Sequence, residues 1–248
     1  MTHDISEVRT QDGICPMHTF APSSNASGPW SGVVMFMDAH GVRPALYEIA
    51  ERLANHGYVV ALPDLYYRSG FVAPPGAKLF SDPVMRAHWT EQVLPTLSGE
   101  NIARDMPAFI AHLDSRNDVR SGAIGVDGYC LGGRLALIVA GRFPERVAAV
   151  ASYHGGGLAT DAPESPHRLA PNMKARVYVG GAKDDSSFDD AQKVRLEAAL
   201  THANVDHRIE TYDAKHGWVP SDTATHDAVA AERHWVTLFE LLDGTLSS

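Results

Sequence analysis

Cysteine is scarce in this 248-residue sequence, which also lacks long apolar runs and any excess of positive charge. Two cysteines cannot build the disulfide framework of a small secreted domain, so a reducing environment is expected. A net charge of −9 disfavours nucleic acids and anionic membranes as partners, because their phosphates would repel it. No run approaches the roughly 20 apolar residues that cross a bilayer, and the N-terminus lacks a signal-peptide pattern. We therefore predict a cytoplasmic protein with no nucleic-acid or membrane partner.

Short apolar runs alternate with amphipathic segments along most of the chain, which is typical of an α/β sheet. Residues 5–20 predict a leading antiparallel hairpin, and the continuous apolar runs predict strands that are covered on both faces. Strands are predicted at 32–37, 58–62 and 123–128, within 146–157 and 175–185, and at 207–212. Helices are predicted at 43–57, 101–115, 134–143, 189–204 and 222–242. The sequence thus predicts a mostly parallel central sheet with helices on both faces and an N-terminal antiparallel hairpin.

Residues 65–100 interrupt this alternation with several prolines, glycines and aromatic residues. Such a composition predicts a long loop with short helical pieces, of the kind that often forms the wall of a site. A linker to a second domain is the alternative, but the alternation of strands and helices resumes on the far side. We therefore predict one domain over residues 1–248.

The stretch "GYCLG" at 128–132 places a cysteine between glycines where a predicted strand turns into a helix. It matches the nucleophile-elbow pattern G-x-S-x-G, with Cys130 in the position of the serine. A helix N-terminus favours a thiolate there, and the N–H of Leu131 is directed at a developing oxyanion. The alternative is a buried core cysteine beside packing glycines. A dinucleotide-binding loop fits less well, because the glycines do not give G-x-G-x-x-G.

A cysteine nucleophile needs a base and an acid, which follow it in the order acid, then histidine, on this kind of elbow. Asp184 and Asp185 follow a late predicted strand, and His216 follows the last one. Trp218 is a candidate for the wall of the substrate site. Neither H-E-x-x-H nor paired C-x-x-C occurs, so we predict no metal and no cofactor.

The segments "MDAHGVRPAL", "LANHGYVVALPDLYYR", "GYCLGGRLAL", "SYHGGG", "GGAKDD" and "KHGW" occur in this order. Through them the chain resembles the dienelactone hydrolase family of α/β-hydrolases from about residue 32 to 240. The resemblance implies an α/β-hydrolase fold and hydrolysis of a lactone or activated ester through a thioester acyl-enzyme. It also implies that Cys130 is the nucleophile, His216 the base and Asp185 the acid, with Asp184 as the second choice.

Two further roles follow from the resemblance. Asp38 corresponds to an acidic residue that orients the thiol, usually Glu in the family, and the N–H of Ala39 completes the oxyanion hole. Relatives bind a substrate carboxylate through one arginine of the long loop, for which Arg86 is the candidate, and a second just after the histidine, which is absent after His216. The expected partner is a small-molecule ester or lactone, and the chain is predicted to be a monomer or homodimer. The alternatives are a broader carboxylesterase or thioesterase, and a non-catalytic homologue that binds a ligand or a redox signal at Cys130.

Overall fold

The computed structural model describes residues 1–23, 28–74 and 79–246 and contains one eight-stranded sheet. Its strands are β1 (Thr2–Arg9), β2 (Ile14–Ala21), β3 (Ser31–Phe36), β4 (Tyr58–Pro63), β5 (Ile124–Tyr129), β6 (Val147–Tyr153), β7 (Arg176–Ala182) and β8 (His207–Tyr212). The order across the sheet is β1-β2-β4-β3-β5-β6-β7-β8. The strands β3 to β8 run parallel, whereas β1 and β2 form an antiparallel hairpin that joins β4. The predicted mostly parallel sheet with its leading hairpin is confirmed.

Helices cover both faces of the sheet. They are α1 (Pro44–His56), α2 (Pro83–His88), α3 (Gly99–Asp114), α4 (Leu131–Arg142), α5 (Asp190–His202) and α6 (Ala228–Leu246). On one face α1 and α6 lie side by side, joined by two hydrogen bonds of 2.7 and 2.9 Å from Arg52 to Glu232. On the other face α3 packs against α4. Within the described part of the chain, no helix is both long and apolar enough to cross a membrane.

Two glycines of β5 let helices approach this central strand from opposite sides. A Cβ added at Gly125 would lie 2.8 Å from a methyl carbon of Leu242 in α6. A Cβ added at Gly128 would lie 2.2 Å from the carbonyl oxygen of Gly132 in α4. Successive side chains of a strand point to opposite faces, so these two positions, three apart, face different helix layers. The close approach of α4 makes the turn from β5 into α4 very tight.

The segment 65–100 is a long excursion with short helical pieces, as predicted. It contains a 3₁₀ turn at Leu65–Arg68, then α2, and two further short helical turns over 89–97. Part of it, residues 75–78, lies outside the described residues. Trp89 of this excursion is buried, which shows that the segment packs against the body of the protein.

The last helix differs from its prediction over 222–242, because α6 begins only at Ala228 and ends at Leu246. Asp227 starts the helix, since its carboxylate accepts a hydrogen bond of 2.9 Å from a backbone N–H of the first turn. Thr225 lies in the preceding loop, and its hydroxyl donates to the carbonyl oxygen of His216 at 2.7 Å. The residues before α6 therefore hold the loop of His216 instead of extending the helix.

Candidate active site

Cys130 occupies the turn between β5 and α4 with a strained backbone. Its φ is +55°, a left-handed value that few residues other than glycine adopt. The neighbouring Gly132 lies so close to the end of β3 that an added Cβ would be 2.4 Å from the carbonyl oxygen of Phe36. The Cys130 N–H donates to the carbonyl oxygen of Tyr153 at 3.0 Å, which fixes the turn. This is the geometry predicted for a nucleophile elbow.

Three side chains from separate loops form a hydrogen-bonded chain. His216 Nε2 lies 3.0 Å from Cys130 Sγ, and these residues are 86 positions apart in the sequence. His216 Nδ1 lies 2.7 Å from Asp185 Oδ2, a carboxylate that follows β7. The carboxyl ends of the parallel strands β5, β7 and β8 thus bring the three groups together. The arrangement has the nucleophile, base and acid geometry of a catalytic triad.

The carboxylate of Asp185 and the imidazole of His216 each favour the charged form of the other. Burial would raise the pKa of Asp185, but hydrogen bonds from His216 and Ser187 lower it to about 2. Burial would lower the pKa of His216, but hydrogen bonds to Asp185 and Cys130 raise it to about 10. At neutral pH the histidine is therefore protonated beside an ionised carboxylate. The Nε2 atom of this ring faces the sulfur of Cys130.

Ser187 is a member of the site that sequence reasoning missed. Its hydroxyl and its backbone N–H both donate to Asp185 Oδ1, at 2.6 and 2.9 Å. These bonds occupy the oxygen that does not face His216 and so fix the carboxylate plane. A serine two residues after an aspartate is too common a pattern to have revealed this role.

The structure brings Asp185, and not Asp184, to the histidine. Asp185 is buried with 9% of its surface exposed. Asp184 is exposed on the outside of the same turn, with a left-handed backbone of φ +54°. The geometry therefore favours Asp185 over Asp184 as the acid, a choice that the sequence left open.

A cavity of about 710 Å³ surrounds Cys130 and His216. Ala39 and Leu131 both line it, and their amides are predicted to hold an oxyanion. The Leu131 amide belongs to the first turn of α4, whose N–H groups have no partner within the helix. Phe80 and Trp89 of the long excursion supply an apolar wall. The cavity can hold a small planar ester beside the nucleophile.

Arg134 contributes a guanidinium to the lining of this cavity, and sequence reasoning did not single it out. Its Nε is buried and has no hydrogen-bond partner within the described residues. Its nearest carboxylate is that of the exposed Glu164, at a long distance of 3.7 Å. The sequence signal that could have indicated Arg134 is its position in the first turn of the helix that follows Cys130. This guanidinium can bind an anionic group of a ligand.

Two predicted substrate-binding residues, Arg86 and Trp218, lie outside the described lining of this cavity. Arg86 is exposed on α2 and does not belong to the described lining of the cavity. Trp218 is fully buried, stacked on Tyr212 with a 4.8 Å distance between ring centroids. It packs behind His154, so it supports the site from the core and forms no wall.

Asp38 does not hydrogen-bond to the thiol in the part of the chain that the structure describes. Both of its carboxylate oxygens accept from the guanidinium of Arg43, at 2.6 and 3.0 Å. The predicted thiol-orienting contact is therefore replaced by an ion pair. Sequence reasoning missed Arg43 because it precedes α1 in a position that an ordinary helix start explains.

His154 lies directly beside the catalytic histidine candidate. It is fully buried at the end of β6, with 5.3 Å between its ring centroid and that of His216. Burial, together with the neighbouring His216, holds the pKa of His154 well below its ordinary value. This second imidazole therefore stays neutral and leaves His216 as the ring that carries the proton.

Comparisons with known proteins show the family and the fold of the chain. The model of the dienelactone hydrolase family matches residues 17–246. A carboxymethylenebutenolidase of Rhodococcus opacus is 28% identical over 222 residues, which cover 83% of this chain and 80% of that protein. Solved structures share the fold. A dienelactone hydrolase of Anabaena variabilis covers 99% of this chain and 98% of its own, with a TM-score of 0.69 and 18% identity. A dienelactone hydrolase-like promiscuous phosphotriesterase from metagenomic libraries covers 99% of both chains, with a TM-score of 0.76 and 21% identity.

Proposed function

Since the chain belongs to the dienelactone hydrolase family and has an α/β-hydrolase fold, we propose how this carboxylic ester hydrolase of the carboxymethylenebutenolidase type works. The enzyme cleaves a lactone or activated ester through Cys130, His216 and Asp185. One observation carries the proposal: Sγ, imidazole and carboxylate follow one another at 3.0 and 2.7 Å across three loops. Each group has the residue type and the neighbour that its role requires.

Acylation begins when the Cys130 thiolate attacks the carbonyl carbon and forms a carbon–sulfur bond. The carbonyl electron pair moves to the oxygen, where the N–H groups of Leu131 and Ala39 stabilise the negative charge. The bond to the leaving oxygen then breaks, and His216 Nε2 donates its proton to that oxygen. A thioester remains on Cys130, and the histidine is neutral.

Deacylation reverses the roles of these groups. His216 takes a proton from water, and the resulting hydroxide adds to the thioester carbonyl. The tetrahedral intermediate collapses by breaking the carbon–sulfur bond, which releases the carboxylic acid product and restores the thiolate beside the imidazolium. In the acylation step, thiolate leaves more readily than a simple alkoxide. The tetrahedral intermediate of an alkyl ester therefore expels the thiolate and returns to starting material. Enol lactones and aryl esters have better leaving groups and proceed.

We further propose that Arg134 binds an anionic group of the substrate. The buried and unpartnered Nε, and the weak contact with Glu164, support this assignment. A charge-assisted hydrogen bond is worth about 1.5–3 kcal/mol, or roughly 10- to 150-fold in affinity. Arg134→Met should raise KM for a carboxylated enol lactone by that range and leave p-nitrophenyl acetate within about threefold. Arg142→Met, an exposed arginine on the same helix, is the matched control.

We also propose that residues 1–248 act as one catalytic domain in the cytoplasm, as a monomer or homodimer. The continuous sheet through the described residues supports one domain, and the free thiols of Cys15 and Cys130 suit a reducing compartment.

The test is a substrate panel with wild type, Cys130→Ala and Cys15→Ala. The panel contains an enol lactone, p-nitrophenyl acetate, an ethyl ester and an acyl thioester. We expect the enol lactone and the aryl ester to react fastest and Cys130→Ala to lose at least roughly 10³-fold in kcat. Retained turnover in Cys130→Ala would refute the proposal. Preference for the ethyl ester or the acyl thioester would favour a broader esterase, and alkylation of Cys130 without any turnover would favour a binding protein.

A further inference from the structure

The turn after β3, residues 38–41, carries the predicted oxyanion amide of Ala39, and its next peptide bond is held at both ends. The carbonyl oxygen of Ala39 accepts a hydrogen bond of 2.5 Å from the Tyr66 hydroxyl. The N–H of His40 donates to Asp38 Oδ1 at 2.9 Å. A peptide plane that is fixed through both its C=O and its N–H cannot rotate. The Asp38 carbonyl oxygen, which shares a peptide bond with the Ala39 N–H, accepts from the Gly41 N–H at 3.1 Å, so the direction of the Ala39 N–H is restrained as well.

Arg43 contacts the same turn, and all five of its N–H donors are used. Its guanidinium donates to both Asp38 oxygens at 2.6 and 3.0 Å and to the Gly41 carbonyl oxygen at 3.1 Å. Its two remaining N–H groups donate to Asp222, at 2.7 and 2.9 Å. Asp222 lies in the loop between His216 and α6, so one arginine joins the oxyanion turn to the histidine loop.

Both carboxylate oxygens of Asp38 accept hydrogen bonds. One carboxylate oxygen accepts from the His40 N–H and from Arg43, and the other accepts from Arg43. The residue is buried, with 3% of its surface exposed, so the ion pair is shielded from solvent. A carboxylate held in this way serves as a rigid acceptor for the turn, and within the described residues no hydrogen bond joins it to the sulfur of Cys130.

We infer that Asp38, Arg43 and Tyr66 are positioning residues that orient the Ala39 amide for the oxyanion, and that Asp38 is not the proton partner of the Cys130 thiol. The inference rests on the proposed function. Trp89 extends the arrangement to the cavity wall, because its indole N–H donates to the Tyr66 hydroxyl at 2.8 Å. The wall that contacts substrate and the turn that stabilises its transition state are thus mechanically joined.

The test compares three variants with two matched controls. The variants are Asp38→Asn, Arg43→Lys and Tyr66→Phe. Tyr67→Phe is the control for Tyr66, because the adjacent Tyr67 hydroxyl donates instead to Asp105 at 2.7 Å. Arg68→Lys is the control for Arg43, because both side chains are about one-tenth exposed and each joins two aspartates.

Two measurements distinguish an effect on oxyanion stabilisation from an effect on the Cys130 thiol. We expect kcat for p-nitrophenyl acetate to fall roughly 10- to 100-fold in the three variants, with KM within about threefold, since misplaced donors lose transition-state stabilisation. The pH midpoint of Cys130 alkylation by iodoacetamide should stay at its wild-type value in all three. The two controls should keep wild-type kcat, and melting temperatures identify any variant that fails to fold.

A shifted alkylation midpoint in Asp38→Asn, together with full kcat in Tyr66→Phe, would overturn the inference and make Asp38 the partner of the thiol. An equal loss of kcat in the controls would also overturn it, because the effect would then be general loosening of the fold. Arg43→Lys keeps the charge and removes the bidentate geometry, so it decides the matter if Asp38→Asn does not fold. Turnover in Cys130→Ala would instead refute the proposed function and is a separate outcome.

Discussion

The two cysteines of this chain have the same functional group and opposite surroundings. Cys15 is the second residue of the hairpin strand β2, with no exposed surface, and its thiol faces the carbonyl oxygens of Pro16 and Asp64 at 3.6 and 3.5 Å. Burial, reinforced by nearby carboxylates, raises the pKa of the Cys15 thiol. Cys130 lies at the start of α4, beside a cavity and 3.0 Å from an imidazole.

The difference shows that backbone position decides what a thiol does. In regular strand geometry the side chain of Cys15 enters the core, where a neutral thiol behaves as a small apolar group. Cys130 has a left-handed backbone, and its sulfur lies 3.0 Å from an imidazole of another loop. The reactive thiol therefore requires the strained turn, the glycines that permit it and the His216–Asp185 pair.

Among the changes that test the contrast between Cys15 and Cys130, we expect the largest effect from replacing the acid Asp185. Asp185→Asn should lower kcat roughly 10²- to 10⁴-fold, because His216 loses the group that orients it and stabilises its charge. Asp184→Asn should stay within about threefold of wild type. Steady-state kinetics with p-nitrophenyl acetate and an enol lactone measure both. Collapse of the Asp184 variant alone would show that the acid is misassigned.

The proton on His216 provides a second way to sharpen the comparison. Histidine NMR, assigned with a His216→Asn variant, should show His216 titrating near pH 10 in wild type. In Asp185→Asn its pKa should fall by at least about 1 unit, because an adjacent carboxylate favours the charged ring. Titration of His216 near 6.5 in both proteins would contradict the charged pair.

The pKa shifts of His216 and Asp185 also make the stability of the folded protein depend on pH. The folded-state pKa of His216 lies above its ordinary value, so its contribution is fully present below about pH 6.5 and is lost as the pH rises toward 10. The pKa of Asp185 is lowered, so its contribution is lost as the pH falls from about 4 toward 2. The destabilisation caused by Asp185→Asn should therefore be largest between pH 4 and about 6.5 and decline toward 10.

The smallest expected effect concerns the buried cysteine. Cys15→Ala should keep kcat and KM within about twofold and should lower the free energy of unfolding by about 1–2 kcal/mol, because it leaves a small cavity. Urea denaturation and the aryl-ester assay measure the two quantities. A loss of activity as large as that of Cys130→Ala would remove the distinction between a structural and a reactive thiol.

Much of the fold was predictable because its signals are local. The alternation of apolar runs and helical periodicity gave the strands from β3 to β8, and the glycines around Cys130 indicated the elbow. Chain order placed His216 and two candidate aspartates, Asp184 and Asp185, at the same edge of the sheet, and the family resemblance favoured Asp185. The start of α6 was missed because a tertiary contact, from Thr225 to His216, holds residues before it in a loop.

The remaining site residues depend on packing between distant segments. Arg43 and Asp222 are 179 positions apart, and nothing near either residue signals their ion pair. Trp218 follows the histidine as a cavity wall would, but its side chain turns into the core and stacks on Tyr212. Arg134 was overlooked because a sequence shows that an arginine is present without showing which side of the helix faces the cavity.

Alkylation of the folded protein by iodoacetamide, followed by peptide mass spectrometry at both cysteines, tests the central claim most directly. The account predicts that Cys130 reacts at least roughly 100-fold faster than Cys15. It also predicts that hydrolysis of p-nitrophenyl acetate is lost in proportion to the modified fraction of Cys130. Equal labelling of the two thiols, or full activity after complete modification of Cys130, would contradict it.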